Sequence, residues 1–195
     1  GEVEWQGRRQ KLGVRNSREG LEVRVDGESG AGTAALAEAL PLQVIDPEVH
    51  NLVAGGPEQR RRFIDWVAFH VERGHLETWR RFRRALKQRN AALKSRSAPA
   101  VIGGWDAEFV DLGAALDTSR RRALEKAGDT LVEYGERLLG ATLGFEYQQG
   151  WAADQSLAEA LALGLERDLQ QGTSRLGPHR ADLRVRYDER LARKL

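Results

Sequence analysis

The chain has 195 residues, of which 41% are hydrophobic and 31% are charged, and its formal net charge is +2. A chain of this length forms one or two domains with a substantial buried core. No run of 18 apolar residues occurs, which excludes a membrane-spanning helix and gives no reason to expect a membrane partner. Cysteine is absent, which excludes disulfides, thiolate metal sites and cysteine nucleophiles and favours a reducing compartment such as the cytoplasm.

The positive charge is unevenly distributed along the chain. Residues 57–96 contain 12 basic and 4 acidic residues, a net charge of +8, whereas the remainder contains 19 basic and 25 acidic residues, a net charge of −6. This asymmetry is typical either of a nucleic-acid-binding face or of a solvated helix surface, and composition alone leaves both open. Because methionine is absent even at position 1, we expect the chain to be an internal portion of a longer protein.

The first segment has the pattern of β-structure. Apolar and polar residues alternate over 21–25, and residues 9–14 form a plausible partner strand. The composition predicts a short helix over 33–40 and a buried strand over 42–45.

A helical block follows. The apolar periodicity predicts a first helix over 57–73, an interruption at Gly74 and a second helix over 75–96. Residues 97–105 contain proline and two glycines and are predicted to be a loop. Asp106 is the expected N-cap of a third helix that ends near Gly140 and packs antiparallel against both others.

The last segment combines both types of element. Alternation predicts strands over 143–147 and 183–187. Between them, Ser156 and Glu159 have the spacing of a capping box, and Gly172 is the expected helix stop. We therefore predict a mixed α and β fold, in which a β-rich part (1–56) and an α/β part (141–195) flank an inserted, elongated antiparallel helical arm (57–140).

Two apparent catalytic motifs are better explained as structural features. Residues 27–33 have the Gly-x4-Gly spacing of a phosphate loop, but the lysine that would contact the β- and γ-phosphates is missing. Ser174, His179 and Asp182 are close in sequence, yet a hydrolytic triad is defined by geometry and no strained nucleophile turn surrounds Ser174. The four histidines show no metal-ligand spacing. We therefore predict neither catalytic residues nor a metal site.

The predicted second helix provides the strongest candidate for nucleic-acid binding. Its basic residues can neutralise phosphates, so the proposed DNA-binding residues are Arg80, Arg81, Arg84 and Lys87. Arg83 and Arg89 lie near the apolar face of Trp79 and Phe82, so we expect these two arginines to form structural ion pairs instead.

Three motifs, in order, resemble those of the RecF family of bacterial DNA replication and repair proteins. In this sequence they read Pro47-Glu48-x3-Leu52-Val53-x-Gly55-Gly56-Pro57-x2-Arg60-Arg61-x-Phe63-Ile64-Asp65, Leu86-Lys87-Gln88-Arg89-Asn90-Ala91-Ala92-Leu93-Lys94 and Gly177-Pro178-His179-Arg180-Ala181-Asp182-Leu183. The resemblance implies part of an ABC-type ATPase head, similar to SMC and Rad50 proteins, with a projecting helical arm. In such proteins the Walker A loop lies upstream of the present residues, and the ABC signature and Walker B acid lie downstream.

The resemblance also implies a function for the whole protein. A RecF protein binds DNA, dimerises with ATP and acts with RecO and RecR to load RecA at single-stranded gaps during recombination, repair and the SOS response. ATP and Mg²⁺ are its expected cofactors, whereas the present residues are expected to hold neither and to be inactive in hydrolysis. The alternative is a scaffold role, in which the arm contacts RecR or a second RecF subunit and never contacts DNA.

The resemblance does not assign roles to individual motif residues. The residues it marks are Arg60, Arg61, Asp65, Gln88, Arg89, Asn90, Gly177, Pro178, His179 and Arg180. Ion pairs between segments suit several of them as well as ligand binding does. Gln43 lies near the expected position of an ABC Q-loop, but the motifs do not fix that position.

Overall fold

The structure is a computed structural model that describes residues 1–5, 7–18, 20–29, 32–42, 50–188 and 190–192. These residues form a mixed α and β architecture that divides into two compact units, Gly1–Pro47 and Glu48–Leu195. The predicted mixed fold class is confirmed, whereas the division into three parts at residues 56 and 140 stays a prediction. Residues 43–45 of the strand predicted over 42–45, and with them the candidate Gln43, lie outside the described residues.

The first unit is an antiparallel sheet with one helix, α1 (Gly32–Ala39). Its strands pair in chain order: β1 (Glu2–Trp5), β2 (Arg8–Ser17), β3 (Gly20–Val25) and β4 (Glu28–Ser29). Asp26 and Gly27 connect β3 to β4 with φ values of 52° and 90°, the left-handed pair that a tight hairpin turn requires. The sequence analysis does not predict β1, which is identified as a strand by its antiparallel pairing with β2.

The second unit contains five helices among its described residues: α2 (Asn51–Ala54), α3 (Pro57–Val71), α4 (His75–Lys94), α5 (Pro99–Leu139) and α6 (Leu157–Gln171). Its described strands form an antiparallel sheet in the order β5 (Leu143–Gln148), β6 (Asp182–Tyr187) and β7 (Arg190–Leu191). α3 begins with proline, whose fixed φ suits the first helical turn. α3 ends at Val71, and Gly74, which directly precedes α4, adopts a φ of 80° that glycine permits in the turn between the two helices.

α5 begins earlier than the sequence predicts, so the predicted loop over 97–105 is wrong. Two consecutive glycines in this stretch weaken a helix by about 1 kcal/mol each relative to alanine. Packing overcomes this penalty, because Ile102 is completely buried against Leu93 of α4 and Trp105 packs on the same cluster. Asp106 is therefore not an N-cap but lies inside α5, where its carboxylate accepts a hydrogen bond from Arg89.

α5 is the element around which the second unit is built. Its 41 residues span about 60 Å at 1.5 Å per residue, and it packs against both α3 and α4 as predicted. The main core cluster lies where α4, α5 and α6 meet, and its buried members are Phe82, Ala85, Phe109, Leu112, Leu116, Leu157 and Leu161. No helix among the described residues is long and apolar enough to cross a bilayer.

The end of the second unit follows the sequence prediction closely. Ser156 accepts a hydrogen bond from the Glu159 backbone, and the Glu159 side chain accepts one from the Ser156 backbone, so the capping box is confirmed. Gly172 ends α6 with a φ of 64°. β5 and β6 then pair antiparallel, with Phe145 opposite Val185.

Candidate nucleic-acid interface

α4 has one buried face and one strongly cationic face. Phe82 and Arg89 are buried on the side that packs on α5 and α6. Arg80, Arg84 and Lys87 follow each other at the four- and three-residue intervals that align side chains along a helix, and all three are exposed. The packed face therefore fixes these three cations on the opposite, solvent-facing side of a rigid helix.

The surrounding segment is equally unbalanced in charge. Residues 57–96 present nine exposed cations, which are Arg62, Arg73, Arg80, Arg81, Arg83, Arg84, Lys87, Lys94 and Arg96. Their exposed acidic counterparts in this segment are Glu58 and Glu77. The segment's other two carboxylates, on Asp65 and Glu72, are largely buried and pair with Arg120 and Lys126 of α5. The nine exposed cations and two exposed carboxylates leave a surface charge of +7, so almost all of the segment's net charge of +8 is presented to solvent.

The proposed DNA-binding residues are not equivalent. Arg81 lies toward α5, where its Nη2 atom is 3.7 Å from a carboxylate oxygen of Glu108. Arg83, for which the sequence predicts an ion pair, is instead exposed with its guanidinium 4.8 Å from the centre of the Trp79 ring. A stacked guanidinium keeps its charge and its outward-facing donors. Arg83 is therefore a cation of the same surface that the sequence prediction leaves out.

Motif residues of α3 join that helix to the start of β6. Arg60 is buried and donates from Nε and Nη2 to the two carboxylate oxygens of Asp182, at 2.7 and 3.2 Å. Its Nη1 atom donates to the carbonyl oxygen of Gly55 at 2.7 Å. Arg61 donates from Nη1 to the carbonyl oxygen of Ala181 at 2.8 Å. The first and third family motifs are therefore in direct contact.

Asp65 lies where α3, α4 and α5 meet. Arg120 donates to its two carboxylate oxygens at 2.7 and 3.0 Å, Trp79 donates from Nε1 at 3.1 Å, and His75 Nε2 lies 3.3 Å away. Burial raises the pKa of Asp65, but hydrogen bonds from His75 and Arg120 outweigh it and leave this pKa below its usual value. Arg120 also donates to the carbonyl oxygen of Pro178 at 2.6 Å.

Arg89 is the most buried charged residue of the second motif, with no exposed side-chain surface. Its Nε atom donates to Asp106 at 2.7 Å, and its Nη1 atom donates to Asp168 and to the Ser174 hydroxyl, also at 2.7 Å. The predicted structural role of Arg89 is confirmed by these contacts. Its three partners come from α5, α6 and the loop after α6, so this one side chain ties three elements to α4.

The remaining motif residues extend the same set of contacts. The Asn90 side-chain oxygen accepts hydrogen bonds from the backbone and hydroxyl of Ser174, both at 2.7 Å. His179 Nε2 lies 2.9 Å from the carbonyl oxygen of Ser174, and burial lowers the pKa of His179 to about 4 although this hydrogen bond opposes the shift. By contrast, Gln88 and Arg180 are exposed. We call the buried contacts among residues 60–65, 89–90 and 174–182 the motif junction.

The motif junction rules out the apparent hydrolytic triad. The Ser174 hydroxyl is fully buried and bonded to Arg89 and Asn90, and Asp182 is bonded to Arg60. The Ser174 hydroxyl therefore does not donate to His179, and Asp182 does not orient the imidazole, so these three residues do not form a hydrolytic triad. The signal for the central role of Arg120 was present in the sequence, because Ser119 and Arg120 interrupt an otherwise apolar helix stripe.

The Gly-x4-Gly segment over 27–33 differs from an ATP-binding phosphate loop. Glu28 and Ser29, within the apparent phosphate loop, are paired as β4, and the loop has no lysine to contact a phosphate. Within the described part of the chain, no three histidine, aspartate or glutamate side chains are grouped closely enough to hold a metal ion.

Comparison with known proteins identifies clear relatives, although no family model matches the chain. The DNA replication and repair protein RecF of Thioalkalivibrio sulfidiphilus is 42% identical over 184 residues, which are 92% of this chain and 50% of that protein. RecF of Pseudomonas fluorescens is 41% identical over 194 residues, 95% of this chain and 52% of that protein.

The fold agrees with these sequence relationships. The solved structure of the recombination mediator protein RecF with ATP, from the RecFOR pathway, superposes with a TM-score of 0.84 at 18% identity over 96% of this chain and 54% of that chain. The chain spans about half the length of each protein that it matches. These similarities confirm the resemblance that the three motifs predict, and the chain is homologous to about half of a RecF protein.

Proposed function

We propose that this chain supplies a DNA-binding surface to a RecF-type protein of DNA replication and recombinational repair. The observation that carries the proposal is the exposed cationic face of α4, formed by Arg80, Arg84 and Lys87 with Arg81 and Arg83 at its sides. Cations on this face can neutralise the phosphates of a nucleic-acid backbone and release the counterions condensed there.

For the whole protein, we propose the activity that the resemblance to the RecF family implies. That activity is ATP-dependent in the full-length protein, requires Mg²⁺, and involves a RecF homodimer working with RecO and RecR to load RecA at single-stranded gaps. The support is the 40–43% identity to RecF proteins and the similarity in fold to a RecF solved with ATP. The cationic face is the part of this activity that experiments on the present chain can test.

A salt-titrated binding assay tests the DNA-binding proposal. We expect replacement of Arg80, Arg81, Arg84 and Lys87 by alanine to weaken DNA binding. The slope of log K against log salt should become shallower by about 0.7–0.9 for each phosphate that the variant no longer neutralises. A matched control removes the same charge elsewhere by replacing the exposed residues Arg15, Arg18, Arg122 and Arg167. Equal weakening in both variants, or unchanged binding in the first, contradicts the proposal.

The alternative is the scaffold role, in which the helical arm binds a protein partner, RecR or a second RecF subunit, and does not contact DNA. Exposed apolar residues at the end of α5 give it some support, because Tyr134 and Leu138 lie one helical turn apart and are 51% and 77% exposed. If this alternative is correct, the salt titration shows no salt-dependent binding of DNA to the chain. Replacing Tyr134 and Leu138 by serine then reduces association with RecR or with RecF measured by sedimentation.

A further inference from the structure

α3 carries an exposed aromatic cluster next to basic residues. Trp66 and Phe69 follow Arg62 at helical spacing on the side opposite the buried residues Ile64 and Val67. The Trp66 side chain is 39% exposed, although an indole of this size on a packed helix gains from being covered. An exposed tryptophan flanked by cations is typical of surfaces on which nucleic-acid bases stack.

Neighbouring rings hold the indole in place. The His70 ring lies edge-on to Trp66, with centroids 4.7 Å apart and an angle of 66° between the rings. His70 also lies edge-on to Phe69 at 4.9 Å and 74°. Because α3 is anchored through Val67 and Ala68 on α5, these three rings form a rigid platform, in which Trp66 is 39% exposed.

The charges around the platform favour a polyanion over an apolar protein surface. Arg62 lies one helical turn before Trp66, and Arg73 lies in the turn after α3, and both side chains are exposed. Glu58 pairs with Arg62 at 2.6 Å and is the exposed carboxylate of α3. The exposed Trp66 therefore lies on a segment whose exposed charges, Arg62, Arg73 and Glu58, are net positive, which suits the phosphates that adjoin a base.

We propose that Trp66 is a stacking site for an unpaired base, and that it makes the chain bind single-stranded DNA more tightly than its cationic face alone would. The proposal deepens the proposed function and rests on it, since phosphate contacts supply most of the affinity. A base inside a duplex presents no free face, so this contact adds affinity for single strands alone.

The test compares Trp66→Leu with Trp66→Phe in the full chain, using a 20-nucleotide oligothymidylate, the same length with abasic sites, and a 20-base-pair duplex. Stacking contributes about 1–3 kcal/mol per base, so we expect Trp66→Leu to weaken oligothymidylate binding about tenfold. Trp66→Phe retains most of the affinity, and neither variant alters duplex or abasic binding. Leu163→Ala, which removes another exposed apolar side chain, is the control and leaves all three affinities unchanged.

The outcomes separate this inference from the proposed function. If Trp66→Leu weakens oligothymidylate, abasic strand and duplex equally, or leaves all of them unchanged, the stacking site is refuted. The cationic face is still supported in that case if its alanine variant reduces the salt slope. If the chain binds none of the three ligands, both proposals are refuted. Circular dichroism of each variant confirms that α3 remains folded, because loss of helicity would lower duplex binding as well.

Discussion

The fully buried Arg89 allows the sharpest prediction about what holds the α-helical unit together. In Arg89→Met, a side chain of similar length leaves the Asp168 carboxylate, whose side chain is 2% exposed, without its cation. Removing one member of a buried ion pair costs about 3–5 kcal/mol, because the remaining charge stays desolvated and unpaired. Arg175 still donates its backbone N–H to Asp168, which places the expected destabilisation near the lower end of this range.

Urea unfolding followed by circular dichroism at 222 nm measures this destabilisation, since the helices of the second unit dominate that signal. With a slope of about 2 kcal/mol/M, the unfolding midpoint should fall by about 1.5 M. The double variant Arg89→Met/Asp168→Asn should be destabilised by less than the sum of the single variants, with a difference of about 0.5–3 kcal/mol. A destabilisation below about 1 kcal/mol in Arg89→Met, or strict additivity in the double variant, would refute the reasoning.

Three further predictions concern the motif junction and α5. Burial lowers the pKa of His179 to about 4, below its value near 6.5 in the unfolded chain. The stabilising contribution of the neutral imidazole is therefore fully present above pH 6.5 and is lost as the pH falls toward 4. His179→Gln should flatten this pH dependence of the free energy of unfolding, measured by urea titrations. Gly177 has a φ of 130°, and an added Cβ would lie 3.0 Å from Phe109 Cζ. Gly177→Ala should therefore lower the free energy of unfolding by about 1–3 kcal/mol. Gly128→Ala is the control and should stabilise the chain, because a Cβ at this site in α5 meets nothing within 4 Å. Gly103→Ala and Gly104→Ala should each raise stability by about 1 kcal/mol, since a Cβ at either site meets nothing within 4 Å; unchanged stability would contradict a helix that starts at Pro99.

Elements with local signals are predictable from the sequence, and contacts between distant segments are not. The capping box at Ser156 and the stop at Gly172 depend on neighbouring residues, so α6 is predicted to within a residue. The start of α5 depends on the contact of Ile102 with Leu93 of α4. The low helix propensity of the two glycines in this stretch predicts a loop instead. Prediction of the second unit therefore fails where tertiary packing overrides local preference.

The same distinction applies to the site. The exposed stripe of Arg80, Arg84 and Lys87 is predictable because helical spacing alone decides which residues share a face. The partners of Asp65 and Arg89 are not predictable, since Arg120 and Asp168 lie 55 and 79 residues away along the chain. Arg83 shows the limit of the face argument, because its stacking on Trp79 turns its charge outward.

The arginines of the chain serve two purposes that experiments can separate. Arg60, Arg89 and Arg120 are buried with carboxylate partners, so their charges are neutralised within the fold and cannot attract a polyanion at long range. Such buried pairs fix geometry more than they add stability. Arg80, Arg84 and Lys87 are exposed to solvent, so their charges can attract a polyanion. Arg89→Met should therefore shift the unfolding midpoint and leave the salt slope of DNA binding intact under native conditions, whereas alanines on α4 should do the reverse. A common effect of both changes would mean that the cationic face and the motif junction form a single site.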